Sequence, residues 1–286
     1  MNVRSDRSDV KNKLDIHVGF KEGRSYLKDT FFTPPFRVAD LSIDRSDPVC
    51  YLMIQSSSPG ILDNDHNDIT VRASSGSHLQ MSSQSYQRLF NMRTGAQQDM
   101  RIDLEKGTRM SFIQHPIVPH ENSSFSARNA IHMADDAVFT YGEIVTCGRK
   151  LSGERFRFTR FQNLTTVFHN GRLILKDNIL LEPRTLDIHS IGMLEGYTHQ
   201  GTLIHVHTGA APIDDLVASA RSVMEAEEDI TFGLSQPAPE IMVLRVLGNG
   251  GEQLLEAFRA IDRAVWTEQG ATQEREVPVE PIIQEA

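Results

Sequence analysis

Short runs of alternating apolar and polar residues fill most of the first 210 positions of the chain. In the first of them, Leu14, Ile16 and Val18 alternate with polar or small residues, which is the pattern of a half-buried strand. Similar runs recur at short intervals, and turn signals such as Pro59-Gly60 separate them. The pattern predicts a mainly β protein, built as a large antiparallel strand assembly of the sandwich or solenoid type.

One hairpin is predicted in detail. Asn170-Gly171 stands between two runs rich in β-branched and apolar residues. Asn-Gly suits the positive φ angles of a type I′ turn, whose twist matches that of paired strands. We therefore expect Leu164–Phe168 to pair with Leu173–Lys176.

The periodicity changes after Gly209. Apolar residues in Pro212–Ile230 recur at spacings of three and four, which predicts an amphipathic helix. Ile241–Gly248 is almost continuously apolar and predicts a buried strand, and Glu252–Thr267 predicts a second helix. The fold class is thus mainly β with two C-terminal α-helices.

These patterns divide the chain into four parts. Residues 1–13 are polar and are predicted to be a disordered N-terminus. Residues 14–210 form a β-rich core domain, and residues 211–270 add a helix–strand–helix part to the same domain. Residues 271–286 are rich in Glu and are predicted to be a disordered tail. No repeat of fixed period is evident.

Composition excludes several classes of function. The net charge is −9 and no basic stripe is present, which argues against nucleic acid as a partner. No apolar run is long enough to span a membrane, and the polar N-terminus does not resemble a signal peptide. The two cysteines, Cys50 and Cys147, are expected to be reduced thiols, so a cytoplasmic location is predicted.

Candidate chemistry is densest in Glu143–Phe158. Its two strand-flanking carboxylates, Glu143 and Glu154, are costly to bury unless they are paired or hydrated. Arg149 could pair with either in a structural salt bridge; otherwise the carboxylates line a polar passage or a docking surface. Cys147 is either a small apolar side chain or a soft metal ligand.

Histidines and turn acids supply weaker candidates. His205 and His207 share one face of a predicted strand with Leu203, so they are weak candidates for a metal site or simply form a polar face. Asp65 lies in an Asp-rich segment that lacks the glycine and distant glutamate of a calcium loop, so a turn built by Asx side chains is expected. No nucleotide-binding loop and no nucleophile–base spacing is present.

Five stretches resemble, in order and spacing, motifs of the urease accessory protein family called UreD or UreH. They are FFTPPFRV (Phe31–Val38), SSPGILDNDHNDI (Ser57–Ile69), SSQSYQRLFN (Ser82–Asn91), EIVTCGRKLSGERFRF (Glu143–Phe158) and GMLEGYTHQGTL (Gly192–Leu203). The chain departs from the family pattern where a Gly-Asp turn is replaced by Asn64-Asp65.

The resemblance implies a non-catalytic scaffold of urease maturation. Its partners would be the urease apoprotein, UreF and, through UreF, the GTPase UreG, with a dimer of heterodimers formed with UreF. No tightly bound cofactor is expected, and nickel would pass through transiently. The residues assigned on this basis are Asp65, Glu143 and Glu154 for the nickel path, Arg149, Cys147 and Tyr86 for its support, and Leu254, Phe258 and Ile261 for partner binding.

Two alternatives stay open at the level of sequence. One is a β-rich metal-dependent hydrolase that uses Glu143, Glu154 and the face bearing His205 and His207. The other is an interaction module without a nickel path. The apolar face of the second helix is likewise interpreted either as core or as a docking face.

Overall fold

A computed structural model describes residues 11–44, 46–209 and 211–267. Within these ranges the chain forms seventeen strands, two α-helices and one 3-10 turn. The strands in chain order are β1 (Lys11–Lys21), β2 (Arg24–Phe32), β3 (Phe36–Asp40), β4 (Val49–Ser56), β5 (His66–Ala73), β6 (His78–Ser83), β7 (Gln87–Leu89), β8 (Ala96–Leu104), β9 (Arg109–Ile113), β10 (Ile117–Pro119), β11 (Ser124–Met133), β12 (Val138–Thr146), β13 (Arg160–His169), β14 (Arg172–Leu181), β15 (His199–His207), β16 (Thr231–Ala238) and β17 (Ile241–Gly248). The helices are α1 (Asp214–Glu225) and α2 (Gly251–Thr267), and the 3-10 turn is Lys150–Ser152.

The strands form two sheets that face each other. Sheet A has the order β14-β13-β11-β8-β5-β1-β2, and sheet B has the order β16-β17-β15-β12-β9-β6-β4-β3, with β10 and β7 attached beside β12. The prediction of a mainly β protein with two C-terminal helices is confirmed. Neither of the described helices has the length and apolar character needed to cross a lipid bilayer.

The predicted antiparallel pairing is wrong for the middle of both sheets. In sheet A the neighbours β1-β5-β8-β11-β13 run parallel, and in sheet B so do β4-β6-β9-β12. The reason is the path of the chain, which passes from a strand of sheet A to a strand of sheet B and back again. Successive strands of one sheet therefore enter in the same direction, as in a solenoid.

Three stacked turns carry the chain from sheet A to sheet B. Each contains one residue with positive φ: Gly76 (74°), Gly107 (68°) and Asp136 (58°). The Gly76 amide donates to the carbonyl of Lys106 at 3.0 Å, and the Gly107 amide donates to that of Asp135 at 3.1 Å. Glycine and, less readily, aspartate tolerate this left-handed conformation, so the turns can repeat with little strain.

The predicted hairpin is confirmed. β13 and β14 pair antiparallel around Asn170 and Gly171, whose φ angles are 48° and 80°. Both central residues have positive φ, as a type I′ turn requires. A register shift between Val167 and Phe168 offsets the last pairs of the hairpin.

Both helices pack on the outer face of sheet B, the face turned away from sheet A. Phe258 of α2 lies so close to the sheet that a Cβ at Gly142 would be 3.2 Å from its ring, and one at Gly201 would be 2.8 Å away. Two glycines on neighbouring strands thus make the groove into which α2 fits.

The three residues of α2 for which partner binding is predicted lie in the core of this chain. Leu254, Phe258 and Ile261 are each 0% exposed and belong to the core between α2 and sheet B. A helix stripe with period 3.6 has the same form whether it faces a core or a partner, and here the outer face of sheet B covers it.

The predicted boundaries also change at the N-terminus. Lys11–Lys13, assigned to a disordered segment, begin β1 and pair with β5. Residues 1–10 and the predicted tail 271–286 lie outside the described residues. β17 pairs with β15 inside sheet B, so the helix–strand–helix part is continuous with the β core.

Candidate functional site

A buried layer of polar side chains divides the space between the two sheets. Along β12 the inward residues are Phe139, Tyr141, Glu143 and Val145, so two polar groups interrupt an apolar face. On the facing sheet A, Asn129, Asn163 and Thr165 likewise interrupt inward faces that are otherwise apolar. The apolar residues on either side of them belong to separate core clusters. We call the interrupting set the polar layer: Gln114, Asn129, Tyr141, Glu143, Asn163, Thr165 and Thr202.

Glu143 is the only carboxylate of the polar layer and is 4% exposed. It accepts hydrogen bonds from the Asn163 amide and, at 3.4 Å, from the Tyr141 hydroxyl. That hydroxyl in turn accepts a hydrogen bond from Gln114 Nε2 at 2.9 Å. These contacts join sheet A to sheet B through side chains.

Asn129 connects the sheet A side of the layer. Its Nδ2 donates to Asn163 Oδ1 at 2.8 Å and to Thr165 Oγ1 at 3.0 Å. The parallel register sets these contacts, because Asn129 lies directly beside Thr165 on the next strand. Amide and hydroxyl groups therefore form a continuous network on the inner face of sheet A.

Three acceptor oxygens of the polar layer have no hydrogen-bond partner among the described residues. They are Glu143 Oε1, Asn129 Oδ1 and Thr202 Oγ1, and all three are buried. Glu143 and Thr202 are also register partners on adjacent strands. An unsatisfied buried polar group costs about 1–3 kcal/mol, so a cluster of them is matched to a polar occupant such as water or a cation.

Burial controls the charge of Glu143. Burial is the main cause of a rise in the pKa of the carboxyl from 4.5 to about 7; the hydrogen bonds from Asn163 and Tyr141 oppose the rise, and the nearby charge of Asp177 adds to it. Near neutral pH the group therefore exchanges readily between its acid and its carboxylate form. A cation that approached would favour the carboxylate by direct attraction.

The polar layer continues into a cleft at one side of the sandwich. The cleft has a volume of about 130 Å³. Gln114 belongs to both, since it lines the cleft and donates to Tyr141. The other polar side chains of its wall include Asp65, Asn67, Gln98, Tyr86 and His115.

Asp65 lies in this cleft and is held by its own turn. Its Oδ2 accepts from the Leu62 amide at 2.7 Å, and the preceding Asn64 has a φ of 67°. An aspartate side chain therefore closes the turn as expected, although it bonds the amide three residues before it and not, as in a regular Asx turn, the amide two residues after it. Asn64 adopts the left-handed conformation that suits glycine best. Asp65 and Glu143, both assigned to the nickel path from the sequence, belong to one series of polar groups that leads from the cleft into the space between the sheets.

Glu154 does not join that series. Its carboxylate accepts from Arg149 Nε at 3.0 Å and from the Glu121 backbone amide at 2.7 Å. The side chain is 7% exposed and that of Arg149 is 51% exposed. The ion pair closes the loop that contains the 3-10 turn Lys150–Ser152. It is the structural salt bridge, one of the two possibilities that the sequence allowed.

The two other supporting residues have local roles. Cys147 is fully buried, and burial raises the pKa of its thiol, which argues against a soft metal ligand. Tyr86 lines the cleft and contacts the start of α2, since a Cβ at Gly251 would lie 2.8 Å from its hydroxyl. Burial and the Glu252 carboxylate raise the pKa of Tyr86. The Tyr86 hydroxyl is therefore neutral. Its contact with Gly251 joins the wall of the cleft to α2.

His205 and His207 lie on the outer face of sheet B, as their predicted face requires. His205 is 3% exposed, and one of its ring nitrogens is 2.9 Å from the hydroxyl of Thr140. Burial lowers the pKa of His205 to about 3 and also lowers that of His207. Within residues 11–44, 46–209 and 211–267, no group of three or more His, Cys, Asp or Glu is arranged to hold a metal ion.

Sequence reasoning missed most of the polar layer. Asn129 and Asn163 were not singled out, although each occupies an inward position of a strand whose other inward residues are largely apolar. An amide in the apolar phase of a period-two pattern is the signal that could have found them.

Comparisons with known proteins agree with the resemblance found in the sequence. A family profile described as the UreD urease accessory protein matches residues 11–279. The urease accessory protein UreD of Flavobacterium johnsoniae is 55% identical over 255 residues, which cover 89% of this chain and 92% of that protein. UreD of Acetivibrio thermocellus is 30% identical, with 88% and 95% covered, and UreH of Helicobacter pylori is 29% identical, with 93% and 97% covered.

Proposed function

Because this chain belongs to the UreD family of urease accessory proteins, we propose that its role in urease maturation is that of a non-catalytic nickel-delivery scaffold. It binds the urease apoprotein and UreF, and it assembles with UreF as a dimer of heterodimers. Nickel comes from the GTPase UreG through UreF and passes this chain transiently on the way to the urease active site.

The main support for this proposal is the position of Glu143 in the polar layer. A carboxylate that is 4% exposed and faces unpartnered oxygen atoms is unfavourable in a purely structural core. Gln114 connects this carboxylate to a cleft that also contains Asp65. A cation could thus move from the surface to the middle of the sandwich between oxygen donors.

The donor set suits transit better than storage. Ni²⁺ accepts imidazole and carboxylate ligands, and closed sites with several nitrogen or sulfur donors hold divalent metals tightly. The polar layer offers one carboxylate together with amide and hydroxyl oxygens. Such a set binds weakly and releases readily, as delivery to a tighter site requires.

The alternative of a metal-dependent hydrolase loses support from the geometry. Glu143 projects between the sheets, whereas His205 projects from the opposite face of sheet B toward the helices. The backbone of the sheet separates the two groups. The carboxylate of Glu154 is engaged by Arg149, so the three residue types that this mechanism would combine do not share a site.

Reconstitution with purified components tests the proposal. Urease apoprotein, UreF, UreG, GTP and Ni²⁺ are combined with and without this chain, and capture of the apoprotein and urease activity are measured. We expect both to depend on the chain. Capture without any gain in urease activity would favour an interaction module without a nickel path, and metal-dependent hydrolysis by the isolated chain would favour the enzyme.

A further inference from the structure

An ion pair bridges the two sheets at the side of the polar layer that lies opposite the cleft. Arg245 of β17 donates to Asp177 of β14. The register connects both residues to the layer: Arg245 is the partner of Thr202, and Asp177 is the partner of Thr165. The series of polar groups therefore ends at a cation and an anion that face each other across the gap between the sheets.

We propose that the Arg245–Asp177 pair is an electrostatic gate, which closes this side of the polar layer and opens when the guanidinium swings into solvent. The gate rests on the proposed passage of nickel, because it regulates a cation within that layer. In the open state the freed carboxylate of Asp177 serves as the exit ligand. Arg245 and the divalent cation thus compete for one carboxylate.

The difference in exposure favours Arg245 as the partner that moves. The Arg245 side chain is 45% exposed, whereas that of Asp177 is 12% exposed. The residue opposite Arg245 on the edge strand β16 is Gly233, and a Cβ placed there would meet nothing within 4 Å. A long side chain with water on one side and open space beside it can leave its partner without disturbing the packing.

Charge makes the closed gate a barrier to cations. A guanidinium at the end of the layer repels a divalent ion, and the repulsion is strongest on the buried side, where screening by water is weakest. The negative charge of Asp177 also contributes to the raised pKa of Glu143, so the two carboxylates interact across the layer. Once Arg245 moves away, both carboxylates attract the same cation.

The two sides of the layer differ in charge, which gives the passage a direction. None of the described residues that line the cleft is Lys or Arg, and Asp65 is among them. A cation therefore meets an acidic entrance at the cleft and a guanidinium at the opposite side. Entry by the cleft and release past Arg245 is the order that this asymmetry favours.

Kinetics of Ni²⁺ release test the gate on the full chain. The chain is loaded with Ni²⁺ alone and mixed with a chromogenic chelator in a stopped-flow instrument. Arg245→Gln removes the cation but keeps a polar side chain, and it should release Ni²⁺ about tenfold faster, the factor expected when opening no longer breaks one charge-assisted hydrogen bond. The matched control is Arg128→Gln, which breaks an ion pair with Asp99 on the outer face of sheet A and should leave the rate unchanged.

The outcomes separate the gate from the passage. Suppose that Arg245→Gln unfolds at the normal temperature and releases Ni²⁺ with the same rate and amplitude as wild type. That result would overturn the gate and leave nickel passage intact. If Glu143→Gln binds as much Ni²⁺ as wild type does, the passage and the gate are both overturned. If Arg245→Gln does not fold, Arg245→Lys replaces it. This variant should release Ni²⁺ faster than wild type, because a strongly hydrated ammonium leaves Asp177 for solvent more readily than the guanidinium does.

Discussion

At the scale of single residues, Glu143 is the carboxyl of the polar layer, buried between the two sheets with one oxygen that has no hydrogen-bond partner among the described residues. The folded state favours its protonated form, with a pKa of about 7 instead of 4.5. At pH values between these two pKa values, folding is therefore accompanied by proton uptake at Glu143. This is the reverse of the usual carboxylate, whose pKa falls in the folded state.

The pH dependence of stability follows from that sign. Between about pH 4.5 and 7 the folded chain binds more protons at Glu143 than the unfolded chain does, so this residue makes the free energy of unfolding fall as pH rises, by up to about 3 kcal/mol. Glu143→Gln removes this term, so the variant should gain stability over wild type at pH 8 but not at pH 4.5.

Urea denaturation at several pH values checks this result. The comparison with wild type is necessary because burial also raises the pKa of Asp262 to about 7, and its contribution has the same sign. Taking the difference in the free energy of unfolding between Glu143→Gln and wild type at each pH cancels the contribution of Asp262. A difference that does not change between pH 4.5 and 8 would contradict the burial of a titrating carboxyl at position 143.

Glu154 should respond in the opposite way. Its carboxylate holds Arg149 and the Glu121 amide, so Glu154→Gln should destabilise the chain by about 1–3 kcal/mol. Nickel delivery per folded molecule should be unchanged, because the residue lies outside the polar layer. Thermal unfolding together with a nickel assay normalised to folded protein measures both effects, and reduced delivery by a stable Glu154→Gln would return this residue to the path.

The sequence singled out Glu143 and Asp65 but not the amides between them. Carboxylates attract notice because their burial is costly in any context. An Asn or Gln is neutral and common on surfaces, and only its register beside other amides makes it part of a site. That register depends on which strands are neighbours. Asn129 lies beside Thr165 and reaches Asn163 only because β11 and β13 are adjacent, and the order of strands in a sheet cannot be inferred from any local pattern.

At the scale of elements, hydrophobic periodicity located most strands and both helices. It could not give the direction of the strands. Alternation with period two is the same in parallel and antiparallel neighbours, and the crossing turns at Gly76, Gly107 and Asp136 look like ordinary hairpin turns in sequence. Their stacking, in which each turn bonds to the next, is a tertiary feature that replaces hairpins by a solenoid path.

The buried stripe of α2 gives a prediction about stability. Phe258 packs over Gly142 and Gly201, so Phe258→Ala should cost about 3–5 kcal/mol through lost burial and the cavity left behind. Arg263→Ala on the exposed side of the same helix should change stability by less than about 0.5 kcal/mol.

Chemical denaturation and a pull-down with UreF separate core from docking surface for this helix. If the stripe is core, partner binding by Phe258→Ala should fall only in proportion to the folded fraction. Loss of binding by a fully folded Phe258→Ala variant would instead mean that the stripe contacts the partner.

At the scale of the whole molecule, the polar layer divides the interior between the sheets into two apolar cores. It runs across the strands from an acidic cleft to the Arg245–Asp177 pair. Since each strand contributes only one or two polar residues, the cost of burial is shared among many local contacts. The fold can therefore keep a band of polar side chains inside a packed β core.

We propose that nickel reaches urease along the polar layer, past Glu143. The most direct test is the number of Ni²⁺ ions per urease active site after reconstitution with Glu143→Gln, compared with wild type and with Glu154→Gln. We expect Glu143→Gln to fold and to capture apourease and UreF normally but to deliver less nickel, whereas folded Glu154→Gln should deliver the wild-type amount. Normal nickel loading by a well-folded Glu143→Gln would contradict it.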